Sequence, residues 1–551
     1  MLVDNYIEYT KHYKIKYGNN TIVLMQVGSF YEFYSITDDI NSDIYKIAEI
    51  CNILISRKNK TINEVSIDNP LMAGFPLYVL DKYKNILLQN NYTIVIITQV
   101  TEPPNPDRKV TEILSPGMNI NVNTKKNNYM MLIYLEYINN LLVAGISGID
   151  LSTGTCFINE AGSTNYDKDY AIDELFRMIT IYNPSELIIL SNDTLTDELK
   201  NYILKKLIIN NILVHYKWNS YEYIDIMTKI PYQKKLLEKV YNSKKSALSI
   251  FELLNIELYN MARIAFCSIL EFAYQHNADT ITELSLPELI ENNNHLIIEY
   301  NSVVQLNLIG IQKGDKPLLD ILNRCSTSFG SREFKKRLLN PIINQDILND
   351  RYDEIDKLLK DNLYNKIEKH LNYILDLERI KRKIILNKYS PQEWYSFKIS
   401  LENALEIYNI LNIDKFKIII NSIINSYDKI LDIDKASKYN INDIKGNIFY
   451  KGIYKDVDDT EELLNDSFNI IQNINNEICN IDKNGDTTLS KVENSERDGY
   501  YISMTKKRYE NAKKLSASLM NKFKIIGTNI SNYKLTSDEI ITQSNIIDIK
   551  Q

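Results

Sequence analysis

"MQVGSFYEFY", residues 25–34, sets one carboxylate, Glu32, among four aromatic side chains directly after a Gly-Ser pair. In an extended run successive side chains alternate faces, so Phe30, Glu32 and Tyr34 share one side and Tyr31 and Phe33 the other. Taken alone, the run reads as an edge strand with Tyr31 and Phe33 in a core and Glu32 in water, the default place for a glutamate.

Outward from this run, residues 21–115 read as mixed α/β. "TIVLMQVG" and "YTIVIITQV" are short β-branched runs, and "DIYKIAEICNILISRK" has helical spacing. "NPLMAGFP" reads as Pro/Gly turn material, "TEPPNPDRK" as a loop and "SPGMNINVNTKKNN" as a linker. The strand-like "MMLIYLEYI" and "LLVAGISGIDLSTGTCFINE", the helical "DYAIDELFRMITIY" and the strand-like "SELIILS" predict a second α/β domain. From about residue 235 the apolar spacing becomes that of long helices, as in "SREFKKRLLNPIINQDILNDRYDEIDKLLKD". "KGNIFYKGIYKD" and "DGYYISMTKKR" read as short strands at the tip of such helices.

A chain of 551 residues implies several domains. Its 44% hydrophobic and 25% charged composition is that of a globular protein. No run of 18 apolar residues occurs, and the N-terminus has no signal-peptide pattern. The five cysteines are scattered without a C-x-x-C, which predicts reduced thiols in an intracellular compartment and no zinc site. A net charge of −7 excludes a uniformly basic coat, but nucleic-acid binding depends on local clusters. One such cluster is "TKKRYENAKKLSASLMNKFK", 505–524, with seven cations against Glu510. It fits either a solvated helix face or a set of phosphate contacts. Neither a P-loop nor any Gly-Lys dipeptide occurs, so this chain is not expected to hydrolyse ATP by a P-loop. "DKNGDTTLSKVE", 482–493, imitates an EF-hand loop but carries Thr487 where the turn needs glycine, and reads as a surface turn.

Several of these stretches together resemble the MutS family of DNA mismatch-repair proteins. "GSFYEFY" looks like the family's G-D-F-Y-E-L-F, and "AEICNILISRK" stands where the family has a helix ending in L-T-K-R. "PLMAGFP", "YTIVIITQV" and "ILSPGMN" are similar to P-M-A-G-V-P, V-A-I-x-E-Q and T-P-G-T in the same order. "GIDLSTGTCFINE" is similar to the D-x-S-T-G-E strand pair of the connector. "LNLIGIQKGDKPLLDILNRCSTSFGSREFKKRLLNPI" resembles the core segment with T-x-x-G-x-R, and "DLERIKRKIILNKYSPQEW" continues it. "ERDGYYISMTKKR" looks like the clamp's G-Y-Y-I-x-x-T. Ser29 replaces the family's Asp, and Ser115 and Met118 replace two Thr.

The resemblance implies a multidomain α/β plus mainly α chain. It would comprise a small mixed α/β wedge domain (1–120), an RNase H-like connector domain (128–225), an elongated helical core/lever (235–435) and a β-containing clamp (436–540). Phe30 would wedge into duplex DNA and stack on an unpaired base, and Glu32 would hydrogen-bond that base. Arg57 is a further expected DNA contact, and Lys506, Lys507 and Arg508 are expected on phosphates. The chemistry is coherent, because a mismatched step is cheap to unstack and to kink. A carboxylate near phosphates weakens binding to perfect duplex and recovers that loss only where it meets a base donor.

The expected partners are duplex DNA with mismatches or small loops, a MutS-like chain in a homo- or heterodimer, and a MutL-like protein at the connector, with no membrane. No cofactor or metal is expected in this chain. The family continues into a C-terminal ATPase domain, and ATP and Mg would enter with such a domain on a longer chain or a partner. The sequence stops at Gln551, so the expectation is an N-terminal portion or split protein, or a relative without its motor. A motor-less interaction or architectural protein, binding partner proteins or branched DNA, is the alternative. A nuclease is the weakest reading, since Asp150 is the one strand carboxylate well placed for it and one acid cannot hold two metals.

Overall fold

In the computed structural model, β1 (Thr21–Val27) and β2 (Phe30–Ser35) form a hairpin that pairs Val27 with Phe30 and Met25 with Glu32. The turn is Gly28-Ser29, and Gly28 holds φ +59°, a conformation open to a residue without Cβ. The structure describes residues 2–550 apart from 102–105, 123, 193–194, 208, 210–211, 218–220, 243–246, 291–294, 311–314, 361, 441–443, 445, 482–489, 496–497 and 529–530. Most of the EF-hand imitation at 482–493 therefore lies outside the described residues. Residues 1–389 and 390–551 form two compact units.

In the first unit β3 (Ser56–Arg57), β4 (Leu71–Pro76), β5 (Thr93–Gln99) and β6 (Arg108–Leu114) complete a sheet of order β3-β4-β2-β1-β5-β6. β1 and β5 run parallel and the other pairs antiparallel. "NPLMAGFP", expected as a turn, is instead strand β4. Leu71, Ala73 and Phe75 alternate into the core, and that burial outweighs the local preferences of Gly74 and the flanking prolines. Helices α1 (Leu2–Tyr17), α2 (Asp43–Cys51) and α3 (Leu80–Gln89) pack around the sheet. α2 buries Ile44, Ile47, Ala48 and Cys51 along one stripe and ends at Asn52, left-handed at φ 53°.

A second sheet has the order β11-β10-β7-β8-β9-β12. Its strands are β7 (Met130–Ile138), β8 (Leu141–Asp150), β9 (Thr155–Gly162), β10 (Glu186–Ser191), β11 (Leu213–Lys217) and β12 (Glu288–Leu289). The β7 side chains alternate between two cores. Met130, Leu132 and Tyr134 pack with the helix Asn260–His276, whereas Met131, Ile133 and Leu135 pack with α4 (Tyr170–Tyr182). Both faces are thus covered, which is why β10 is buried at every position.

The second unit holds the helices Pro391–Ile410, Lys417–Asp428 and Lys455–Cys479. β13 (Ser490–Ser495), β14 (Gly499–Thr505), β15 (Lys524–Thr528) and β16 (Asn532–Thr536) form an antiparallel sheet of order β13-β14-β16-β15. The helix Asp538–Lys550 packs on Lys455–Cys479 and on β14. "DGYYISMTKKR" is strand as far as Thr505 and helix from Lys506. The described residues of "KGNIFYKGIYKD" form no strand. They make a single bridge from Phe449 to Leu431, and Gly446 and Gly452 turn the backbone at φ +97° and +92°.

Candidate nucleic-acid interface

β2 sorts its side chains as its alternation requires. Tyr31 and Phe33 are buried with Phe75 and Ala73, their partners on β4. Phe30, at the start of the strand, stays 44% exposed. Glu32 and Tyr34 lie half-buried on the Phe30 side, and the Tyr34 hydroxyl donates to Glu32 Oε2. Tyr6 of α1 meets the Tyr34 ring edge-on at 5.2 Å. Burial, together with the bond to Glu32, pushes the Tyr34 phenol well above its ordinary range, so it stays a donor. Gly74 sits opposite Glu32, and a Cβ there would stand 2.5 Å from Tyr31 O and 3.1 Å from Glu32 Cγ. A side chain at 74 would therefore displace Glu32.

The turn that carries Phe30 is tied to the far side of the sheet. Arg108 Nε donates to Gln26 O at 2.9 Å, and Gln26 Nε2 to Gly28 O at 3.2 Å. With its amide oxygen toward the turn, Gln99 accepts from Gly28 N at 3.2 Å and from Arg108 Nη2 at 2.9 Å. An exposed aromatic on a braced hairpin, beside an oriented carboxylate, can enter a partner while its backbone holds still. Tyr34 shares the period-two face and was readable from it. Arg108 comes from 82 residues away in sequence with no local signal.

Arg57 is not brought to this group. β3 pairs it with Leu71, whose side chain enters the core, so Arg57 stands on the other side of the sheet from Glu32 and donates to Asn63 Oδ1 at 3.2 Å. Lys506, Lys507 and Arg508, in the second unit, form the first turn of the helix Lys506–Leu515, capped by Thr505, whose hydroxyl accepts from Arg508 N at 3.3 Å. Cations are unfavourable at this end of a helix, where the free N–H groups already carry partial positive charge. Lys507, Lys513, Lys514 and Lys522 are exposed, Lys506 lies over the Tyr533 ring at 5.6 Å, and Lys524 pairs with Asp538 at 2.8 Å. Cations gathered at a helix N-terminus suit an anion such as phosphate.

Family profiles match both regions. Residues 7–123 match MutS domain I and residues 279–536 match MutS domain III, together more than half of the sequence. The chain belongs to the MutS family. It is 27% identical to a putative DNA mismatch repair protein, a MutS homologue of Acanthamoeba polyphaga mimivirus, over 91% of this chain and 49% of that protein. It is also 27% identical to the DNA mismatch repair protein MutS of Caldanaerobacter subterraneus subsp. tengcongensis, over 92% of this chain and 55% of that one. The MutS of Clostridioides difficile is 24% identical over 93% and 50%. The chain spans about half the length of these curated relatives.

Two further parts of this MutS-family chain bear on function. In the T-x-x-G-x-R segment, Arg332 donates to both Asp376 oxygens at 2.7 Å and through Nε to Glu378 at 3.1 Å. Burial works against the Asp376 charge, but the Arg332 hydrogen bonds and charge prevail and hold that carboxyl below its usual 3.8. Asp150 is fully buried and accepts from Asn128 N and Ser152 N, both at 2.9 Å, and from Ser152 Oγ at 2.6 Å. Its oxygens are engaged in holding the backbone. Among the described residues no group of three His, Cys, Asp or Glu could hold a metal ion, and no helix is long and apolar enough to cross a membrane.

Proposed function

We propose that this chain is the DNA-reading portion of a MutS-type mismatch sensor. Its first sheet acts as the wedge domain, the second as an RNase H-like connector, and the later helices and sheet as core, lever and clamp. Phe30 enters the minor groove at a weakened base step and stacks on the unpaired base, while Glu32 accepts a hydrogen bond from it. The observation that carries this reading is the exposed Phe30 on a braced hairpin, with Glu32 held by Tyr34 on the same side. A wedge costs least at a mismatched step, so the deformation selects weak pairs without reading sequence. The helix Lys506–Leu515 supplies phosphate contacts that add affinity for any duplex. In this reading the chain works as a dimer with a second MutS-type chain, and its connector meets a MutL-like partner. Titrating the chain with duplexes that differ by one mismatched pair tests the proposal. Tighter binding to the mismatched duplex is expected, and equal binding contradicts it.

A further inference from the structure

We propose that the cleft between the α1–β1 turn and the edge strand β11 binds a small phosphate ester. The cleft encloses about 490 Å³, in the range of small-molecule sites. It lies at the Thr21 end of β1, the opposite end from the turn that carries Phe30, so it is separate from the proposed DNA face. Among its described lining residues there is no aspartate or glutamate, whereas Lys16, Lys217, His215 and His276 all contribute.

Lys217 is the most telling of these. Its amine sits 4.7 Å from the centre of the Tyr223 ring and 5.3 Å from that of Phe272, with no carboxylate partner among the described residues. Burial, and then the like charge of Lys16, pull it below its usual 10.5. A half-buried cation facing a second cation lacks a counter-charge, and a phosphate would supply one. Glu186, the buried acid bonded to the lining residue His215, is already engaged. It accepts from Ser115 Oγ at 2.5 Å and Gly117 N at 3.0 Å, and lies 2.8 Å from His215 Nε2. His276 Nδ1 donates to Phe272 O at 2.8 Å, which leaves its buried Nε2 an acceptor without a partner, suited to a sugar hydroxyl of the ester and not to the phosphate itself. Asn19, Asn20 and Gln275 line the same cleft and offer neutral donors, and the exposed Tyr216 offers a ring, enough for a sugar or nucleoside carrying one phosphate.

The test is equilibrium titration of the full chain with ribose 5-phosphate and with AMP at fixed ionic strength, with ribose as control. Saturable binding of the phosphate esters and none of ribose is expected. Lys217→Met and Lys16→Met should each weaken binding roughly tenfold, the loss of one charge-assisted hydrogen bond. Lys16 is exposed, so its variant keeps the fold even if Lys217→Met does not. Tighter binding of AMP would put the base against Tyr216, and equal binding would put recognition on the phosphate; both support the site. No saturable binding, or unchanged binding in Lys16→Met, would overturn it. The lysines would then only balance the partial negative charge at the C-terminus of Asn260–His276.

Discussion

Replacing Tyr34 by Phe removes one oxygen atom and leaves the ring in place against Tyr6. The lost hydroxyl donates to the Glu32 carboxylate in a half-buried position. A hydrogen bond of this kind contributes about 1–1.5 kcal/mol net. Without it the carboxylate regains rotamers, and only some of them aim it at a base held by Phe30. The cost falls on the complex in which Glu32 must find a base donor. Perfect duplex offers it none, so binding there is unaffected. The ratio of Kd values for perfect and mismatched duplex should therefore drop by roughly five- to tenfold, at about 1.4 kcal/mol per decade. Fluorescence anisotropy with two labelled duplexes of the same sequence, differing at one pair, measures that ratio directly. If the ratio stays put in Tyr34→Phe while Glu32→Ala changes it, Tyr34 does not position Glu32, and the reasoning fails.

Other consequences can be checked separately. Neutralising Lys506, Lys507 and Arg508 together should weaken perfect and mismatched duplex by a similar factor and lower the slope of log K against log salt by roughly 0.9 for each phosphate left without its cation; an unchanged slope would return these residues to a solvated face. Arg332→Met should lower unfolding stability by about 1.5–3 kcal/mol, because it removes both hydrogen bonds to Asp376 and leaves that carboxylate only Arg379, 3.5 Å away; urea titration reads this, and a loss below about 1 kcal/mol would mean that water and Arg379 replace the arginine. His276 is held below its usual 6.5, first by burial and further by His215 and Lys16, against its bond to Phe272 O and the attraction of Glu186. The unfolded chain then binds the proton more readily, so this contribution is complete above about pH 6.5 and is lost as pH falls below it. Wild type should lose more stability than His276→Gln between neutral pH and about pH 5, and parallel curves would count against a buried neutral imidazole.

How much of this could be read from sequence depended on the range of the interactions. The faces of β2 follow from a period of two, so the pairing of Phe30 with Glu32 and the burial of Tyr31 and Phe33 were legible. The strand Leu71–Pro76 was not, because Gly74 and the prolines carry turn signals while its reason for being a strand lies in partners on β2. Arg57 illustrates a second limit. A position beside a family motif says nothing of register, and one residue along a strand changes the face. The brace from Arg108 and Gln99 joins segments far apart in sequence. The basic run was visible as composition, but its place at a helix N-terminus needed the fold.

The measurement that bears most directly on the central claim is the discrimination of Phe30→Ala between mismatched and perfect duplex. The residue is exposed and its backbone is fixed by the hairpin register, so the substitution should leave the fold intact. Losing the stacked base costs about 1–3 kcal/mol, all of it in the mismatched complex. The account predicts that the two duplexes bind the variant equally, at the salt-dependent level of the wild type on perfect duplex. If Phe30→Ala prefers the mismatched duplex as strongly as the wild type does, Phe30 is not the wedge.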